Sequence, residues 1–116
     1  MRDYTKYEVW NDGVEISIFV YDLTRNFPDG EKFGLCTQLQ RASVSIPSNF
    51  AEGCSRSSEK EFRRYLEISL GSSFELKTQL IIAHKLTYIS IEQLDELIIK
   101  IDKLGKQLNT LRNKLK

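Results

Sequence analysis

The chain reads as an all-α protein, an up-and-down bundle of four long antiparallel helices with short loops. Apolar residues recur at spacings of three and four along most of its length, the period of helices with one buried face. Two stretches open with a serine followed three positions later by Glu or Gln, the chemistry of a capped helix N-terminus. The 116 residues include only 6 Gly and 2 Pro, few for the turns of a strand-built sandwich or barrel. This length makes one domain, residues 1–116, with one real core.

The first helix is expected from about Lys6 to Asn26. Val9, Gly13, Ile16, Val20, Leu23 and Phe27 form its main stripe, and Trp10, Val14 and Tyr21 form a second line beside it. Pro28 and the Asp29-Gly30 pair then break the helix. The second helix is expected from about Glu31 to Cys54, with Leu35, Leu39, Ala42, Ile46 and Phe50 on one face. Pro47 falls inside it, so the pattern predicts either a kink near Ser43 to Pro47 or two shorter helices.

The third helix opens at the capping pattern Ser58-Glu59-Lys60-Glu61 and runs to about Lys85. Phe62, Leu66, Ser69, Ser73, Leu76, Leu80 and Ala83 keep four-three spacing, and the small residues in that seam admit a close neighbour. Leu70, Phe74, Ile81 and Tyr88 make a second apolar line. The fourth helix opens at Ser90-Ile91-Glu92-Gln93 and extends to about Leu115. Its seam of Leu94, Leu97, Ile101, Leu104, Leu108, Leu111 and Leu115 is a heptad pattern, which favours near-parallel packing.

Composition narrows the chemistry. The single histidine and the two cysteines, 18 positions apart with no CxxC, do not make a structural zinc site. On one helix Cys36 and Cys54 would lie about 27 Å apart and could not pair. Free thiols suit a reducing cytoplasm. The charged start lacks an apolar signal core, and no apolar run approaches the ~18 residues of a membrane span. Ser45 and Cys36 have no evident histidine partner, and no phosphate-binding glycine loop is present. The expectation is therefore a non-enzyme with no catalytic residues, no metal, no cofactor and no small-molecule substrate. His84, near a helix end, fits a surface or dipole-partner role better than a ligand role.

The most informative polar pattern is Gln38, Arg41, Ser45, Asn49 and Glu52, spaced three, four, four and three. At 100° per residue these side chains share an arc of roughly 80° beside the apolar stripe. The third helix answers with Arg64, Glu67, Gly71, Ser72 and Glu75. Antiparallel packing would bring Arg41 to Glu67 or Glu75, and Glu52 to Arg64. Such a network either fixes helix register or joins subunits, or else forms a ligand site.

These same residues carry a resemblance. The run from Phe27 to Leu35, the run from Gln38 to Gly53 and the block from Phe62 to Leu76 resemble the signatures of the four-helix-bundle, or 23S rRNA intervening-sequence, proteins. Phe50 stands where that family usually has isoleucine. The resemblance spans nearly the whole chain. It implies an up-and-down four-helix bundle assembled as a ring-like homopentamer. A related protein, the accessory variability determinant of diversity-generating retroelements, is a basic barrel that binds nucleic acid and a reverse transcriptase. The resemblance thus implies RNA, DNA or a nucleic-acid enzyme as partner.

A net charge of +1 excludes a uniformly basic protein. Charge is nevertheless uneven. Lys100, Lys103, Lys106, Arg112, Lys114 and Lys116 face only one acid, Asp102, in the last stretch, and Arg56, Lys60, Arg63 and Arg64 form a second basic cluster. Two functions compete: a nucleic-acid-binding accessory protein acting as a homo-oligomer, and an assembly scaffold that binds no nucleic acid. The surplus of apolar helix faces supports the second.

Overall fold

The periodic apolar stripes close into four helices packed side by side. The computed structural model describes residues 1–115; Lys116 lies outside them. Helix α1 spans Glu8–Thr24, α2 Leu35–Cys54, α3 Glu59–Lys85 and α4 Ile91–Lys114. Single 3-10 turns at Tyr4–Lys6 and Asp29–Glu31 precede α1 and α2. Among the described residues there is no strand, and no helix is long and apolar enough to cross a membrane.

These turns account for the boundaries that differ from expectation. The Asp3 side chain accepts from the Thr5 amide at 3.1 Å, and Tyr7 is extended, so α1 starts at Glu8 and not at Lys6. At α2, Gly34 lies outside helical geometry (φ −111°, ψ −107°). The Glu31 carboxylate accepts from the Leu35 amide at 3.3 Å, so Glu31 caps the helix from outside and does not begin it. Ser58 accepts from the Glu61 amide at 3.1 Å. Ser90 and Gln93 form the full reciprocal capping box that their spacing predicts.

Neighbouring helices run antiparallel. Residues 13 and 17 meet 47 and 43 across α1/α2, 69 meets 46 across α3/α2, and 77 meets 102 across α3/α4. Helix α2 packs on α1 and α3, and α4 packs on the same two helices. The α1–α3 and α2–α4 pairs therefore lie on the diagonals. The result is a rod of 44 × 24 × 20 Å.

Pro47 does not split α2, which runs unbroken through it. Proline has no N–H, so the Ser43 carbonyl loses its helical donor. The Ser17 hydroxyl of α1 supplies the replacement at 2.9 Å and also lies 3.0 Å from the Gly13 carbonyl. Ser43 is fully buried and Ser17 nearly so. Gly13 makes the approach possible, because a Cβ there would lie 3.2 Å from the Pro47 Cβ. On the opposite side Ser69 of α3 donates to the Ile46 carbonyl at 2.8 Å. Lower down, Gly53 makes room for Tyr65; a Cβ on Gly53 would lie only 2.6 Å from that of Tyr65.

The core follows the stripes. Ile16, Val20, Leu39, Ile46, Phe50, Phe62, Leu66, Leu76, Leu80, Leu97, Leu104 and Leu108 are essentially sealed from water. The α4 seam is buried through Leu108, whereas Leu111 and Leu115 are only half-buried. The second apolar lines divide. Trp10, Leu70, Ile81 and Tyr88 pack against the core, while Tyr21 and Phe74 stay exposed, Phe74 by 65%.

Candidate functional site

The polar stripe of α2 opens a cleft against α3. Its inner floor is a chain of short hydrogen bonds. Ser45 Oγ lies 2.8 Å from Ser72 Oγ, and Asn49 Nδ2 donates at 2.8 Å to both the carbonyl and the hydroxyl of Ser45. Further along, Gln38, Arg41, Ser45, Glu75 and Gln79 line a cleft of about 420 Å³. Arg41 and Glu75 are exposed on its walls. Neither has an ion-pair partner within 4.0 Å among the described residues.

Two expected pairings are not made. Glu67 pairs with Arg112 of α4 at 3.7 Å and not with Arg41. Glu52 pairs with Arg56, one turn on, at 3.7 Å and not with Arg64. In each case the observed partner sits closer, on the flanking helix or the same chain turn. The stripe also missed a member. Gln79 is only 8% exposed, and its side-chain carbonyl oxygen has no hydrogen-bond donor. The spacing Ser72, Glu75, Gln79 continues the stripe by three and four and would have revealed it.

Alternating helix direction gathers both basic clusters at one end of the rod. The Arg2 amide donates to the Cys54 carbonyl at 3.0 Å, and its guanidinium lies 3.9 Å from the centre of the Phe62 ring. Arg56 donates to the Tyr65 hydroxyl at 2.8 Å. The Arg112–Glu67 pair ties in the last turns of α4. Lys60, Arg63, Arg64 and Lys114 share this end and have no acid within 4.0 Å among the described residues. The other members of the basic tail are compensated. Lys103 binds Glu8 at 3.0 Å, with Asp12 at 3.9 Å. That hydrogen bond raises the Lys103 ammonium above its ordinary range and lowers the Glu8 carboxyl. Lys100 shares a groove with Asp12 and Glu15, and Lys106 shares one with Glu8. The far end carries Asp22, Asp29, Glu31, Glu92, Asp95 and Glu96 against Arg25, Lys32 and Lys85. The first end also holds Asp3, Glu8, Glu52, Glu59, Glu61 and Glu67 against Arg2, Lys6, Arg56, Lys60, Arg63, Arg64, Arg112 and Lys114, so the near-neutral chain is modestly polarised along its axis.

A third surface is apolar. Trp10, Val14, Ile18, Tyr21, Val44 and Pro47 are among the residues lining a groove of about 570 Å³ between α1 and α2. Ile18 is 59% exposed. Helix α2 thus separates an apolar groove from a polar cleft.

The model of the 23S rRNA-intervening sequence protein family matches residues 5–110. The chain belongs to that family. A solved protein of unknown function from the S23 ribosomal protein family of Bacteroides thetaiotaomicron shares the fold. It superposes with a TM-score of 0.81 at 22% identity, over 90% of this chain and 97% of that one. No functionally curated protein matches the chain.

In this family member the remaining reactive groups are locked into structure. Cys36 and Cys54 are both free and buried. The Cys36 thiol lies 3.7 Å from the Thr24 carbonyl, and burial raises its pKa. Burial pushes Cys54 further, to about 11. His84 Nδ1 lies 3.1 Å from the Ile89 carbonyl and closes the α3–α4 turn. In that turn Thr87 adopts a left-handed φ of 67°. Among the described residues no three His, Cys, Asp or Glu side chains group to hold a metal ion. Neither thiol is expected to react with a disulfide reagent at pH 8 in the native protein, and both should react once urea unfolds it. Rapid labelling of the native protein would show that a thiol is accessible and ionised.

Proposed function

We propose that this 23S rRNA-intervening sequence protein is a non-enzymatic, homo-oligomeric accessory protein that holds nucleic acid at its basic end. One observation carries the reading: the topology brings Lys60, Arg63 and Arg64 of α3 to the same end as Arg112 and Lys114 of α4, and of these only Arg112 has an acidic partner within 4.0 Å among the described residues. Lysine and arginine side chains grouped on one surface attract phosphates whatever the overall charge of the molecule. Symmetric assembly would repeat that end in every copy and multiply weak contacts. Phosphate contacts alone confer affinity without sequence choice, so the expected ligand is a nucleic acid recognised by its backbone.

Fluorescence anisotropy with a structured RNA and a duplex DNA tests this. Binding is expected at about 50 mM salt and should weaken steeply as salt rises, because each phosphate contact releases counterions. Charge reversal at Lys60 and Lys114 should reduce both affinity and the slope of the salt dependence. Absence of binding at low salt would end the reading.

The α1/α2 groove favours a second reading, an assembly scaffold that binds no nucleic acid. Its apolar side chains and the exposed Phe74, which follows Leu70 by one turn on the flank of α3 facing α4, lie on opposite sides of the rod. Two different sticky faces join copies head to tail, which closes a ring when the rotation between copies divides the full circle. Light scattering with Ile18→Glu or Phe74→Glu should then show smaller particles with unchanged helical circular dichroism. Ile81 packs against the core, so Ile81→Glu should instead cost helicity. Wild-type protein that scatters as a monomer at micromolar concentration would exclude both the scaffold and the oligomer.

A further inference from the structure

We propose that the α2/α3 cleft is a contact between copies of this chain, in which Arg41 of one copy pairs with Glu75 of another. The inference rests on the homo-oligomer reading above and names where and how the copies meet. Its first support is charge. Arg41 and Glu75 stand on opposite walls of one cleft, on different helices. Neither finds a partner within 4.0 Å in its own chain among the described residues. One wall offers a guanidinium, which prefers a planar carboxylate, and the other offers that carboxylate. A second copy laid against the cleft carries the complementary set.

The second support is independent of charge. Gln79 lines the same cleft, is 8% exposed, and its carbonyl oxygen lacks a donor. A buried acceptor without a donor destabilises the chain that carries it. An amide arriving in the cleft would end that deficit, and Gln38 on the facing wall presents one in every copy. Both pairs, Arg41 with Glu75 and Gln38 with Gln79, are self-complementary between identical chains. A contact between copies needs that property, whether symmetry is two-fold or cyclic.

Position gives the third support. Val44, 40% exposed, stands on the outer face of α2 between Arg41 and the apolar groove. A copy seated along α2 would cover an apolar strip on one side and the charged cleft on the other. The apolar strip supplies burial, and the paired charges fix register and exclude wrong partners.

Charge exchange tests the contact. Arg41→Glu and Glu75→Arg are surface changes and should leave helical circular dichroism intact. Each variant alone is expected to assemble about tenfold or more weakly than wild type by light scattering, because like charges then meet across the contact. Mixing the two variants in equal amounts should restore association between unlike copies, since the carboxylate introduced at position 41 of one copy then meets the guanidinium introduced at position 75 of the other; a ring of odd number keeps one like-charged seam, so the expected readout is particles larger than either variant forms alone. A pair formed within one chain would be restored in the double variant but not by mixing. If wild type assembles and the single variants assemble equally well, or if only the double variant recovers, the proposed contact is wrong while the oligomer reading stands. If wild type is a monomer, both fall.

Discussion

The carbonyl of Ser43 is the constraint on which the rest of this bundle turns. Pro47 removes its helical donor in the buried middle of α2. A buried acceptor left empty would cost a sizeable part of a small domain's stability. Helix α1 must therefore approach closely enough for the Ser17 hydroxyl to donate at 2.9 Å. That approach in turn requires a glycine at position 13, against the proline ring. One missing N–H thus fixes the separation and the register of α1 on α2. On the other side, the Ser69 bond to the Ile46 carbonyl and the Tyr65 ring against Gly53 fix α3 in the same way.

With α2 pinned on two sides by buried serines, its outward residues have little freedom. The Ser45–Ser72–Asn49 chain sits at the edge of the α2/α3 seam. It holds the seam by polar contacts and leaves Arg41 and Glu75 facing outward. The apolar groove on the α1 side exists for a related reason. Close packing at Gly13 and Pro47 leaves Val14, Ile18 and Val44 splayed around a depression that the chain itself does not fill. Both surfaces read as consequences of how the core is locked. The polarised ends have a different origin. Helix N- and C-termini alternate between the ends, and the basic residues in this sequence cluster where α3 begins and α4 finishes.

Much of this was legible in the sequence. The four stripes gave four helices because their periods are long and uninterrupted. The Ser90-to-Gln93 spacing located the start of α4 because that cap is local chemistry. The residues of the α2 polar stripe were also legible, since spacing alone puts them on one face. Their partners were not. Arg112 lies 45 positions from Glu67 in the chain, and only the packing of α4 on α3 brings the two within 4.0 Å. The start of α2 was misplaced because Glu31 uses its side chain as a cap, which apolar spacing does not report. Gln79 was legible too, since it continues the Ser72–Glu75 line by four, but that its carbonyl oxygen lacks a donor was not. The meaning of Pro47 was half-legible. A proline inside a helix signals a disturbed backbone, but the residue that repairs it sits on another helix.

The most direct measurement is a double-mutant cycle on Ser17 and Pro47, read by urea unfolding. Ser17→Ala should cost about 1–3 kcal/mol in the natural background, because the Ser43 carbonyl is then buried without a donor. In the Pro47→Ala background the new backbone N–H can take that carbonyl, and the same Ser17→Ala change should cost less than about 0.5 kcal/mol. Equal costs in the two backgrounds would contradict the account, because the Ser17 hydroxyl would then not be serving the carbonyl that the proline sets free.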